Sequence, residues 1–197
     1  MIEPRKVLLT LLVLGITGSL VAVSALSAFS STTDNPGNEF AAGTVDISDN
    51  DAGSAMYDVT DQKPGVTIER CIKVTYTGSL AADVKLYTTD ALDTLAPYVN
   101  LTVTPGTQAV SVFPGCTDFV ADAGGSIFSG TLQGFAAAHS GWADGLADHP
   151  GAGSSWGAGS AVVYRLQLTL ADDNDANGGS DALTTGEHAF TWEARNQ

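Results

Sequence analysis

Between Val66 and Tyr76 the chain alternates with a period of two. Val66, Ile68, Ile72, Val74 and Tyr76 fall on one face, and Thr67, Glu69, Lys73 and Thr75 on the other. Successive side chains of a pleated strand point to opposite faces, so the pattern predicts a strand with one face buried and one wet. Arg70 interrupts the apolar face and marks a bulge or a strand near a sheet edge. The alternation recurs. Tyr164, Leu166, Leu168 and Leu170 oppose Val163, Arg165, Gln167 and Thr169, while Val99, Leu101 and Val103 oppose Asn100, Thr102 and Thr104. Phe190 and Trp192 oppose Thr191 and Glu193, and Ala41-Gly43-Val45-Ile47 and Val84-Leu86 complete the set. Turn-forming Gly, Asp, Asn and Pro separate these runs. The expected fold is all-β, an antiparallel β-sandwich, with closure of the jelly-roll type as one solution.

One segment departs from the two-residue period. Leu132, Phe135, His139, Trp142 and Leu146 recur at helical spacing, predicting a helical insertion over about residues 131–147. It reads as one amphipathic helix or two short ones, weakened by Gly134 and Gly141. The Gly-rich stretch 151–157 predicts a flexible loop in which Trp156 plugs the rim of the core rather than serving as a ligand platform.

The N-terminus carries a different signal. Arg5 and Lys6 precede an apolar run from Val7 to Val23, and small residues follow at Ser24-Ala25-Leu26-Ser27-Ala28. A basic start, an apolar stretch and a small-residue exit describe a secretory signal peptide, expected as an N-terminal helix over residues 1–28. A retained membrane anchor is the competing reading, because ~20 apolar residues span a bilayer. The residues alone allow cleavage after Ala25 or after Ala28. Removing 1–28 leaves 197 − 28 = 169 residues, enough for one domain over 29–197. It also leaves 8 − 2 = 6 Lys+Arg against 22 − 1 = 21 Asp+Glu, a net charge of −15. That balance argues against nucleic acid or anionic lipid as a partner. The expected location is secreted, extracellular or on the cell surface.

In an exported chain the two cysteines, Cys71 and Cys116, read most simply as one disulfide, with two separate buried thiols as the alternative. Cys71 lies on the polar face of its strand, so the bridge is expected to strap a loop across the outside of a sheet. The spacing is not Cys-x-x-Cys, which argues against redox chemistry.

Catalytic patterns are missing from the sequence. His139, His149 and His188 include no His-Glu-x-x-His, and there is no Gly-x-Ser-x-Gly, Walker loop or dinucleotide fingerprint. No catalytic residue, metal ligand or cofactor is therefore expected, and His139 reads as a packed structural residue. Asp173-Asn174-Asp175-Ala176-Asn177-Gly178 matches the first half of a calcium loop. Thr184 stands where the bidentate glutamate belongs, so an acidic turn between strands is the simpler reading.

Several stretches, in their order, resemble one family. Ala28-Phe29-Ser30-Ser31 is followed by Asn38-Glu39-Phe40-Ala41-Ala42-Gly43-Thr44-Val45-Asp46-Ile47. Downstream come Cys71-Ile72-Lys73-Val74-Thr75-Tyr76-Thr77-Gly78, Leu95 to Val103, Ser129-Gly130-Thr131-Leu132 and Phe190-Thr191-Trp192-Glu193-Ala194. Together they resemble the TasA/camelysin (CalY) family in its actinobacterial style. Ser31 stands where the family has aspartate, and Ala42 replaces threonine. The resemblance implies a jelly-roll protein that builds extracellular fibres, as in a biofilm matrix, and signal cleavage between Ala28 and Phe29. It also implies donation of the freed N-terminal strand to a neighbour, so the expected partners are further copies or a related fibre subunit, besides signal peptidase. A secreted monomeric binding or adhesion module is the alternative. The metallopeptidase activity that camelysin lends to the family finds no ligand motif in this sequence.

Overall fold

The computed structural model describes Arg5 and residues 41–148, 155–177 and 183–197. Residues 1–41 and 42–197 are separate units. Apart from Arg5, which is helical, the signal segment, the Ala28–Phe29 junction and the donor segment lie outside the described residues.

Residues 42–197 form an all-β fold of two antiparallel sheets. The strands are β1 (Ile47–Asp49), β2 (Thr67–Tyr76), β3 (Ala82–Tyr87), β4 (Val99–Gln108), β5 (Phe119–Ala121), β6 (Phe128–Thr131), β7 (Leu146–Asp148), β8 (Ala161–Leu170) and β9 (Thr191–Asn196). The larger sheet runs β1-β2-β8-β4-β5, with β6 also on β4; the smaller runs β7-β3-β9. This order is that of an antiparallel sandwich and does not by itself specify a jelly roll.

The period-two faces meet in the middle. Ile72, Val74 and Tyr76 of β2, Leu101 and Val103 of β4, Tyr164, Leu166 and Leu168 of β8, and Val84 and Leu86 of β3 form one buried cluster. β2 and β8 pair without a slip from Thr67↔Thr169 to Thr75↔Ala161. Arg70 therefore makes no bulge. It sits opposite Leu166, and its Nη1 donates to the Glu69 carbonyl at 2.8 Å. Its position is still near an edge, because β1 covers β2 only at Val74–Tyr76.

The helical insertion is shorter than the spacing predicts. The helix α1 spans Leu132–Ala138, capped by Thr131, whose Oγ1 accepts from Gly134 N–H at 3.0 Å. It ends because His139 leaves helical geometry (φ −134°, ψ 74°) and because Asp144 Oδ1 captures the Ser140 and Gly141 N–H groups, each at 2.8 Å. Leu146 then belongs to β7, opposite Leu86 of β3. Its recurrence at helical spacing is a coincidence of burial, not of helix. The strand expected from Ala41 to Ile47 is likewise confined to Ile47–Asp49; upstream, Thr44 and Asp46 carbonyls accept from Ser79, Leu80, Thr77 and Gly78 N–H groups.

Trp156 is fully buried in the core, not at its rim. It exchanges both backbone hydrogen bonds with Ala82 at 3.0 and 2.8 Å, and its indole N–H donates to the Asp148 carbonyl at 2.7 Å.

Candidate functional site

The two sheets differ in width, six strands against three, and β9 ends the smaller one. Beside β9 the sandwich stands open as a cavity of about 640 Å³. Its floor is the inner face of the larger sheet, with Ile68 and Ile72 from β2, Leu168 and Leu170 from β8 and Val99 from β4. Trp192 of β9 lines one side. Asp49 at the end of β1 and two irregular segments, residues 51–62 and residues 183–190, make the walls. The floor is apolar because every one of these positions lies on the core-facing parity of its strand. The walls carry Asp49, Asp51, Asp58 and Glu187, so the mouth is acidic. Burial raises the Asp49 carboxyl above its ordinary range, with the Asp51 N–H, which donates to Asp49 Oδ1 at 3.0 Å, opposing it.

One side-chain pair joins the walls. Tyr57 Oη and His188 Nε2 are 2.5 Å apart. His188 Nδ1 lies 2.9 Å from the Gly186 carbonyl, which can only accept, so Nδ1 carries the proton. In neutral imidazole Nε2 is then an acceptor, and the Tyr57 hydroxyl is the donor. Burial pushes the Tyr57 phenol well above its ordinary range, which keeps it protonated for that role. Neither residue shows this in the sequence, where 131 positions separate them. The only available signal was an aromatic within a polar, irregular stretch, and that is too common to act on.

The other sequence-predicted positions fall elsewhere. Cys71 and Cys116 form a disulfide with 5.1 Å between Cα atoms. Residues 109–118, between β4 and β5, cross the face of the larger sheet that points away from the core, and the Cys71 N–H donates to the Pro114 carbonyl at 2.9 Å. Beneath this strap Arg165 lies 4.6 Å from the Phe119 ring centre. His139 packs against Phe135 and Phe128, and its Nδ1 is 2.7 Å from the Asp144 carbonyl. His149 lies outside the described residues. Asp173 and Asp175 lie at a 3-10 turn over Asn174–Asn177, where Asp173 Oδ1 accepts from the Asp175 N–H at 2.9 Å. Gly178 and Asp181 are outside the described residues. Among the described residues no group of three or more His, Cys, Asp or Glu side chains is placed to hold a metal ion.

Residues 5–96 match the family model described as camelysin metallo-endopeptidase. Over that stretch the chain is similar to the TasA/camelysin family. The match takes in the N-terminal segment and β1 to β3, while the family-like motifs from Pro97 onward lie beyond it. The camelysin description points toward a peptidase, and the described residues offer that chemistry no metal-holding cluster. No curated protein matches the chain.

Proposed function

We propose that this chain is a secreted structural protein that assembles into extracellular fibres or a surface coat, the N-terminal segment of one copy adding as a strand to the next. The observation that carries this reading is the outer edge of β9. Among the described residues nothing pairs with it, and it borders the open cavity. An unpaired edge presents N–H and C=O groups that an extended peptide satisfies, and alternate side chains of that peptide then seat on the apolar floor. Residues 29–38, at about 3.3 Å per residue, are long enough to run along the six residues of β9. Phe29 and Phe40 bracket this polar stretch. Removal of residues 1–28 by signal peptidase frees the segment, so export and assembly are coupled.

Negative-stain microscopy of the chain lacking residues 29–38 tests the reading. Loss of filaments with retained β-type circular dichroism is expected; unaltered filaments reject strand donation.

The family description favours a second reading, a metallo-endopeptidase. It calls for a metal site assembled outside the described residues. Peptide cleavage that a chelator abolishes and zinc restores selects it over the structural role.

A further inference from the structure

The two walls of the cavity are held very differently. The 183–190 wall is anchored to the neighbouring loop. Asp93 and Leu95 N–H groups donate to the Thr185 and Thr184 carbonyls at 2.9 and 3.0 Å, and Ala189 N–H donates to Asp90 Oδ2 at 2.6 Å. The opposite wall, residues 51–62, contains no helix or strand. From Ala55 to Asp61, the Tyr57–His188 hydrogen bond is the one hydrogen bond among the described residues. Met56 and Tyr57 are the side chains that pack it against the core.

Its two ends share a backbone peculiarity. Ala52 has φ 53° and Asp61 has φ 55°. Left-handed backbone disfavours residues with a Cβ, and such positions concentrate at switch segments and clamps. A stretch fixed at two left-handed ends and tied down at one point in between is the geometry of a hinged cover.

We infer that residues 52–61 form a lid over the cavity, latched by Tyr57 and His188. Opening at Ala52 and Asp61 uncovers Ile68, Leu168 and Leu170 as the floor on which residues 29–38 of a second copy dock. The inference rests on the strand-donation reading and adds a gate to it. A lid that flanks the cavity in the free subunit narrows access to that surface, and the incoming strand must displace it.

The test compares the full chain with its Tyr57→Phe variant, which keeps the packed ring and removes the latch. Cleavage by proteinase K within residues 51–62 is expected to quicken by about five-fold, the effect of losing one neutral hydrogen bond, with β2 and β8 left uncut. Unchanged cleavage in 51–62, or cleavage spread equally through β2 and β8, overturns the lid. His188→Gln provides a second variant, and its cleavage must rise in the same segment. Binding of a synthetic peptide of residues 29–40 gives an independent arm. Tighter binding to Tyr57→Phe than to the unaltered chain, again by about five-fold, supports gating, and equal binding overturns it. Failure of the peptide to bind either protein rejects strand donation and the gating role together, whereas the proteolysis result still decides the lid.

Discussion

Tyr87 Oη donates to Glu193 Oε2 at 2.7 Å across the β3–β9 pair, while Arg195 Nε holds the other oxygen, Oε1, also at 2.7 Å. Arg195 first and Tyr87 second hold the Glu193 carboxyl below its ordinary range. The same contact raises the Tyr87 phenol. The signs are opposite. The Glu193 contribution to stability is present above its unfolded pKa and is lost as pH falls through the depressed folded value. The Tyr87 contribution is present below the unfolded phenol pKa and is lost as pH rises through the raised one. Tyr87→Phe is therefore expected to move Glu193 back up toward 4.5. Side-chain carboxyl carbon shifts followed by NMR from pH 2 to pH 7 read this directly; an unmoved titration contradicts the assignment. Both side chains are half-buried at the sheet surface, where solvent screens the contact, so the effect on overall stability is small.

Trp156 is the largest fully buried side chain in the domain, and it comes from a segment with no strand of its own. Truncation to Ala is expected to cost about 3–5 kcal/mol, from lost apolar burial and the cavity left behind. Trp156→Phe keeps most of the volume and leaves the Asp148 carbonyl without its indole donor, for about 1–2 kcal/mol. Urea unfolding of both variants checks the ranking. Equal losses would mean that the indole hydrogen bond, which both variants remove, carries the effect and the packing of the ring adds nothing.

The Cys71–Cys116 bridge closes a loop of 45 residues. On the chain-entropy account, removing it through Cys71→Ala with Cys116→Ala costs about 4 kcal/mol. Because the 109–118 strap loses its covalent tie, its amides are expected to exchange faster than those of β8. A stability loss under about 1 kcal/mol would show that the strap's own contacts, not loop closure, carry the effect.

Gly106 of β4 has no room for a side chain. A Cβ there would meet the Val120 carbonyl oxygen at 2.2 Å and Ala121 Cα at 3.0 Å, both backbone of β5. Gly106→Ala must therefore push β5 off β4, at about 1–3 kcal/mol. Gly157, with no atom within 4 Å of an added Cβ, is the control and is expected to tolerate Ala within about 0.5 kcal/mol. Thermal unfolding of the two variants separates them; equal melting temperatures would remove the steric argument.

The alternation in Val66–Tyr76, Val99–Val103 and Tyr164–Leu170 determined most of the core-facing residues, and Ile72, Val74, Tyr76, Leu101, Val103, Tyr164, Leu166 and Leu168 bear this out, whereas Val66 precedes β2 and is 49% exposed. That was legible because the pleat imposes its period locally, whatever the partner strand is. Local reasoning failed where burial came from outside the segment. Trp142 and Leu146 extend the spacing of Leu132 and Phe135, but Asp144 captures the amides that would continue the helix, and β3 recruits Leu146 as a strand residue. Ala41 to Val45 alternate and yet stay outside the sheet, their neighbour being the Thr77–Leu80 turn instead of a strand. The short strands β5, β6 and β7 carry too few residues to show a period.

The candidate site was the least legible part. Its floor is written in the strand parity, but its existence depends on the mismatch between a six-stranded and a three-stranded sheet. Its latch depends on Tyr57 meeting His188 across 131 positions. The sequence by itself determined the β class, most of the buried faces and the resemblance over residues 5–96. Only the tertiary structure decided which edge lies beside the opening and which two side chains join its walls, because pairing and cavities arise from contacts between segments that no local period encodes.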